Sequence, residues 1–163
     1  MLVAQSYSKN MGLYGERVGA LSIVTKSKET AERVLSQLNI VIRANYSNPP
    51  KHGVAVCATI LNDPALLKQW KEELKSMVDR IAAVRKGLRA ELEKIKAPGS
   101  WEFMTKQIGM FTYTSLTKDM CEKLAKEHAI YITTNGRISL AGLKLSQLPK
   151  IAGAMKDVMG SKL

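Results

Sequence analysis

Aromatic residues are sparse in this chain: Phe, Trp and Tyr make up 6% of its 163 residues. Proteins that grip single-stranded nucleic acid stack bases on aromatics interleaved with basic residues, and no basic run here has that interleaving. Cysteine is scarce too. Cys57 and Cys121 are far apart, form no Cys-x-x-Cys pair and lack the His and Cys neighbours of a zinc site. Both are read as buried free thiols in a reducing compartment. For the two histidines, His52 and His128, the sequence offers no partner argument, and both are read as ordinary residues. Long apolar runs are missing as well. Charged residues interrupt every candidate before the roughly 20 positions that a membrane-crossing helix needs. The opening residues Met1 to Lys9 have no basic stretch ahead of an apolar core and no Arg-rich amphipathic character. Neither a secretory signal nor a transit peptide is therefore expected within them.

What the chain does have is apolar material and positive charge. It is 45% hydrophobic and 24% charged, ordinary values for a folded globular protein, and long enough to bury a sizeable core. Disorder is excluded as its main state. Lys and Arg number 25 against 14 Asp and Glu, a formal charge of +11 and a pI near 9.7. Such an excess suits nucleic acid or an anionic membrane surface. It equally suits helices whose lysines face water, and the shortage of aromatics favours that second reading. No nucleic acid and no membrane are expected as partners.

Local patterns divide the chain into alternating strands and helices, which points to an α/β or α+β class. Leu2–Tyr7 and Gly19–Thr25 read as strands, the second rich in branched residues. Ser27 is placed to cap a helix whose apolar face carries Val34, Leu35, Leu38, Ile40 and Ile42, and which runs toward the breaker Asn48-Pro49-Pro50. Residues 53–61 read as a short apolar helix. Asp63-Pro64 predicts another start, with Asp63 as cap and Pro64 at the first helical position, where its missing N–H costs nothing. From there Leu67, Trp70, Leu74, Met77, Ile81, Val84, Leu88, Leu92 and Ile95 recur at three- and four-residue steps, one stripe of a long helix of the kind that links two lobes. Further along, 108–114 reads as a strand and Thr117 as the cap of a helix through Lys126. Residues 129–133 read as a strand returning through an Asn135-Gly136 turn to a hairpin partner, Arg137–Leu140. A last helix runs from Ser146 to about Met159.

One segment concentrates chemistry: Ser6-Tyr-Ser-Lys9-Asn-Met-Gly-Leu-Tyr-Gly-Glu-Arg17-Val-Gly19. A lysine at the end of a strand, a Gly-rich loop and an arginine bring a hydroxyl, an amine and a guanidinium together, a set suited to a phosphate. By residue type alone, ordinary surface cations would look the same.

The order of residues is more specific than their types. This string closely resembles the pyridoxal-phosphate lysine signature of the class I aminotransferases, aspartate aminotransferases in particular. Three more segments resemble the same family in the same order: Ile42-Arg43-Ala-Asn-Tyr-Ser47-Asn-Pro-Pro, Gln107-Ile-Gly-Met-Phe111, and Gly136-Arg137-Ile-Ser-Leu-Ala-Gly142. The resemblance spans essentially the whole chain. It implies the C-terminal part of a fold-type I pyridoxal-phosphate transferase: residues 1–75 as the end of the cofactor-binding large domain with its sheet, residues 76–163 as an α+β small domain reached by the long helix.

The resemblance also implies roles. Lys9 would join covalently to pyridoxal 5′-phosphate and shuttle a proton at the substrate Cα, work that suits an amine able to condense with an aldehyde. Ser6 and Arg17 would hold the cofactor phosphate. Arg137 would grip the substrate α-carboxylate as a bidentate fork. Arg43, across a dimer interface, would meet the side-chain carboxylate of aspartate or glutamate, with Ser47 touching the neighbouring phosphate and Phe111 packing near the substrate. Each has a plain structural alternative: a helix-end cation for Arg43, a strand-edge solubiliser for Arg137, a core ring for Phe111. The implied reaction turns L-aspartate and 2-oxoglutarate into oxaloacetate and L-glutamate, in a homodimer or a heterodimer with a full-length paralogue.

Two departures stand out. Ala44 occupies a position where related sequences usually carry proline. In the family, moreover, a long portion precedes the lysine and carries the aspartate on the pyridine nitrogen, the tyrosine on the ring oxygen and the aromatic stacked on the ring, the partners that tune the electron sink. The alternative expectation is therefore a truncated, non-catalytic isoform or fragment that pairs with intact subunits. Localisation is expected to be cytoplasmic, with an organellar origin open. Without most of a sheet beside them, the first sixty residues are expected to fold less firmly than those from about Leu66 onward.

Overall fold

The computed structural model describes residues 1–160, so the last three residues of the expected small domain, 161–163, lie outside the described residues. The chain forms two compact units, Met1–Leu74 and the part from Lys75 onward. Among the described residues no helix is long and apolar enough to cross a membrane.

In the first unit, β1 (Leu2–Ser6) and β2 (Gly19–Ile23) pair antiparallel, with Leu2 opposite Ile23 and Ser6 opposite Gly19. The expected helix is α1 (Lys28–Asn45), and the Ser27 hydroxyl accepts from the Thr30 N–H as its cap. α1 buries none of its residues. Val34, Leu38 and Ile42, four residues apart on one face, are half-covered. Leu35 and Ile40, expected on that face, lie off it and stay 58% and 61% exposed. After Pro49-Pro50 comes α2 (Lys51–Asn62). Gly53 is buried because a Cβ there would stand 2.7 Å from the Cβ of Glu16 and 3.2 Å from Val18 Cγ1, closer than a side chain tolerates. That approach seats the first turn of α2 on residues 16–18.

α3 (Pro64–Lys94) starts as its sequence predicts: Asp63 Oδ1 accepts from Ala65 N at 2.8 Å and Leu66 N at 3.0 Å, with Pro64 at the first position. Its apolar stripe is buried only in the second half, at Val84, Leu88 and Leu92. Leu67, Trp70 and Leu74 are half-covered and Met77 is exposed.

The second unit holds the core. Val84, Leu88 and Leu92 of α3 pack with Trp101, Met104 of the short α4 (Phe103–Lys106), Leu116, Cys121 and Leu124 of α5 (Lys118–His128), and Ile151, Met155 and Val158 of α6 (Leu148–Gly160). Thr117 caps α5, accepting from Met120 N. β3 (Phe111–Tyr113) and β4 (Arg137–Ser139) form an antiparallel pair, Phe111 opposite Ser139 and Tyr113 opposite Arg137.

Here the hairpin expectation is corrected. β4 pairs with β3, and residues 129–133 form no strand. Ala129 takes a left-handed conformation (φ 54°) that ends α5, the Ile130 N–H is spent on Leu124 O, and Thr133 N bonds only to Arg137 O across the Asn135-Gly136 turn. Ile130 and Ile132 still pack against the core, so these branched residues are half-buried without a ladder. β3 is also shorter than 108–114, because Gly109 bends the backbone at φ 85°. The last helix begins at Leu148, after a single 3₁₀ turn over Leu145–Gln147.

Gly136 is required twice over. Its φ is 78°, and a Cβ would stand 2.8 Å from Leu116 O. Its carbonyl accepts from both Thr114 N (2.9 Å) and Thr114 Oγ1 (2.8 Å). Gly136→Ala is expected to lower the stability of the second unit by about 1–3 kcal/mol. Urea unfolding checks it; an unchanged midpoint would contradict the close contact.

Both thiols are buried. Burial pushes Cys57 and Cys121 up from the usual thiol range, and backbone hydrogen bonds pull back less strongly. The reactive thiolate is therefore a small fraction at neutral pH, and alkylation is expected to be slow there and to accelerate as pH rises beyond the ordinary thiol range. Labelling native and urea-unfolded protein across pH checks this: equal rates in the two states would refute it.

Candidate active site

The loop joining β1 to β2 carries the densest group of functional side chains. It is closed at its base by Tyr7 N donating to Val18 O at 3.1 Å. Gly12, at φ 68°, lets its N–H reach back to Lys9 O, so the chain turns immediately after the lysine. A second turn places Arg17 at φ 52°, with its N–H on Tyr14 O at 3.4 Å. Trp70 of α3 donates its indole N–H to Asn10 O at 2.8 Å, and the α2 contact at Gly53 holds Glu16 and Val18. The lysine loop is thus tied on two sides by helices.

Within the loop, Ser6 Oγ bonds Ser8 Oγ at 3.0 Å and accepts from Ser8 N at 3.2 Å. Lys9 Nζ stands 4.3 Å from the centre of the Tyr14 ring, and Arg17 Cζ 5.2 Å from the same ring. One aromatic ring brings both cations into a single neighbourhood. The donor set fits pyridoxal phosphate at two of its groups: two hydroxyls and a guanidinium suit a phosphate, and an exposed primary amine suits an aldehyde. Among the described residues, Asn10 Oδ1 is the one buried side-chain oxygen or nitrogen without a hydrogen-bond partner, and it follows Lys9 directly.

The other predicted residues form two further pairs. In the first unit, Arg43 Nη1 donates to Ser47 Oγ at 2.6 Å. Ser47 sits at φ 64°, where α1 has ended and its N–H bonds back to Ile42 O at 3.1 Å. In the second unit, Arg137 Cζ lies 4.6 Å over the Phe111 ring. They are diagonal neighbours on one face of the β3–β4 ladder, while Thr112 and Ile138, alternating with them, face the core.

Sequence reasoning missed Ser8, Tyr14 and Arg85. Tyr14 was detectable as the aromatic three residues before Arg17. Arg85 was detectable as a cation on the apolar face of α3, four residues after Ile81 and three before Leu88. Burial lowers the Arg85 guanidinium from its ordinary value.

Comparison with known proteins adds independent findings. Residues 1–155 match the family described as aminotransferase class I and II. The chain is 53% identical over 155 residues to a cytoplasmic aspartate aminotransferase of Oryza sativa subsp. japonica, covering 95% of this chain and 38% of that protein. It is 53% identical over 158 residues to aspartate aminotransferase 3, chloroplastic, of Arabidopsis thaliana, covering 97% and 35%. A mitochondrial aspartate aminotransferase from Trypanosoma brucei superposes with a TM-score of 0.89 at 46% identity, over 99% of this chain and 42% of that one. An aromatic-amino-acid aminotransferase from Burkholderia pseudomallei, solved covalently bound to pyridoxal phosphate, gives 0.90 at 47%, over 97% and 40%. The chain therefore spans under two fifths of the length of these curated relatives.

Proposed function

The chain belongs to the class I and II aminotransferases, with the fold of the type I pyridoxal-phosphate enzymes, and from that premise we propose that it supplies the lysine-bearing and carboxylate-gripping part of an aspartate aminotransferase. The observation that carries this reading is the β1–β2 loop, where Lys9 and Arg17 stand against the Tyr14 ring and Ser6 and Ser8 join their hydroxyls. On this reading residues 1–75 are the end of the large domain and residues 76–163 the small one.

Bound pyridoxal phosphate would supply an electron sink that weakens the bonds at the substrate Cα. Ser6 and Arg17 hold its phosphate, with Ser47 of a second copy beside them. Lys9 would hold the group at its aldehyde and, once freed by the substrate amine, would take and return the proton at the substrate Cα. Arg137 grips the α-carboxylate, its guanidinium seated 4.6 Å over the Phe111 ring, and so orients the Cα–H bond. Arg43 of a second copy meets the distal carboxylate, and two guanidinium forks select dicarboxylic amino and oxo acids, aspartate and 2-oxoglutarate above all. The working assembly is a dimer. Relatives carry cytoplasmic, chloroplastic and mitochondrial names, so the family does not fix a compartment.

A second reading has its own observation: the chain matches only part of each relative, and Leu2, Val3 and Leu21 of the two-stranded sheet are exposed. On that reading the chain is inert alone and gains cofactor only beside a full-length subunit. One experiment separates the two. The chain is purified alone and after co-expression with a full-length relative, incubated with pyridoxal phosphate and reduced with borohydride. Cofactor fixed to Lys9 and oxaloacetate formed by the lone chain support the first reading; both appearing only in the heterodimer support the second. Neither appearing in either sample refutes both.

A further inference from the structure

Arg85 is 6% exposed, and among the described residues its guanidinium bonds to main-chain oxygens and not to a carboxylate. An isolated buried charge is expensive, and an apolar side chain would suit its place on the α3 stripe. Its guanidinium is instead spent on three main-chain carbonyls: Nη1 donates to Met104 O at 2.7 Å, and Nη2 to Gly109 O at 2.9 Å and Phe111 O at 2.6 Å. Gly109 is the bend (φ 85°) from which β3 departs, and nothing lies within 4 Å of where its Cβ would be. The ladder that follows is three residues long. A slip of one residue would turn the Phe111 ring off the face that carries Arg137.

The edges of β3 show how the register is held. Met110 O accepts from Leu140 N at 2.8 Å, and Thr114 N donates to Gly136 O at 2.9 Å, so these groups point toward β4. The alternate groups point away from it, and side chains meet them there: Arg85 takes Phe111 O, and Gln107 Oε1 accepts from Tyr113 N at 3.2 Å. We propose that Arg85 is a positioning residue for Arg137: by tying Gly109 and Phe111 to α3 it fixes the Phe111 ring as the platform that aims the Arg137 guanidinium at a carboxylate. The carboxylate part rests on the function proposed above.

The test uses the full chain, with Arg85→Met and Arg85→Lys, and reads two signals. Protons of Arg137 over the Phe111 ring carry a ring-current shift in NMR spectra, a reading independent of any ligand. Succinate, an unreactive dicarboxylate, reports binding by titration. Arg85→Met is expected to collapse the ring-current shift and weaken succinate binding on the order of 10- to 100-fold, because small displacements of a binding group are costly. The core methyl signals of Leu88 and Met155 should stay dispersed. Arg85→Lys, which keeps the charge but not the fork, should recover only part of each.

Arg80 is the comparison. It lies on the same helix and donates to Ala141 O at 2.8 Å and Leu143 O at 3.3 Å, beyond β4. Arg80→Met should leave the Arg137 shift in place, and an equal loss there would mean that α3 was merely loosened, overturning the assignment. An Arg137 shift unchanged in Arg85→Met overturns it as well. Should that variant fail to fold, Arg85→Lys decides by the same shift: partial loss supports the proposal and full retention defeats it. If the unaltered chain binds no succinate, the carboxylate reading of Arg137 fails, while the ring-current shift still decides the role of Arg85.

Discussion

Lys9→Ala is expected to abolish covalent capture of pyridoxal phosphate and to lower amino transfer from aspartate to 2-oxoglutarate by on the order of 10⁴-fold, the scale of losing a positioned proton-transfer group. The assay uses the chain, alone or paired with a full-length relative whose own cofactor lysine has been removed, so that any transfer reports Lys9. Lys9→Arg separates charge from chemistry. A guanidinium at this position keeps the cation over the Tyr14 ring, 4.3 Å away in the unaltered chain, and keeps an attraction for phosphate. It does not condense with an aldehyde. Neither variant should capture the cofactor, and arginine should retain more non-covalent affinity than alanine, which is left with the Ser6 and Arg17 contacts. Lys9→Arg with near-normal transfer would reduce Lys9 to a surface cation and remove the proposed function with it. Arg17, 5.2 Å from the same ring, is the control: its replacement should weaken cofactor binding while leaving capture at saturating cofactor intact.

The parts of this fold that could be read from sequence are those fixed by neighbours in sequence. Ser27, Asp63 and Thr117 each satisfy helix N–H groups two or three residues on, and all three caps are where the sequence puts them. Asn135-Gly136 forms its turn for a comparable reason: φ 78° favours glycine there. What sequence could not supply was the partner across space. Residues 129–133 have the branched residues of a strand but no free edge to join, because the ladder of β4 was claimed by β3 from some 25 residues upstream. α4 escaped notice because a single turn leaves no period. The same division runs through the site. Lys9, Ser6 and Arg17 were recognisable through family resemblance, since by residue type they match any basic loop. The Tyr14 ring that gathers two of them and the Arg85 fork behind Phe111 are products of folding. Arg85 in particular contradicts the rule that an apolar stripe stays apolar, and such exceptions mark a demand other than packing.

The final expectation concerns how unevenly this chain holds together. Amide hydrogen exchange should differ by at least about 10³-fold between the core amides of α3, α5 and α6 and those of α1. Leu88, Leu92, Met104, Leu124, Leu140 and Met155 are each under 2% exposed and lie in one cluster, so opening any amide among them requires breaking that cluster. α1 has 18 residues and buries none, and in the unit that contains it Gly53 and Cys57 are the buried residues among those described. Most helical stability comes from tertiary packing, and the one face of α1 is only half-covered, so its amides exchange by local opening. Leu88→Ala sharpens the point. Removing that side chain leaves a cavity costing about 2–5 kcal/mol, and protection across residues 84–92, 118–128 and 148–160 should fall together by the corresponding factor. Protection in residues 28–45 should not change, because none of them belongs to the cluster that Leu88 supports. Equal protection in α1 and α6 of the unaltered chain, or a loss in Leu88→Ala that spreads to α1, would mean that the first unit is held by the same cooperative core, contrary to the burial that separates them.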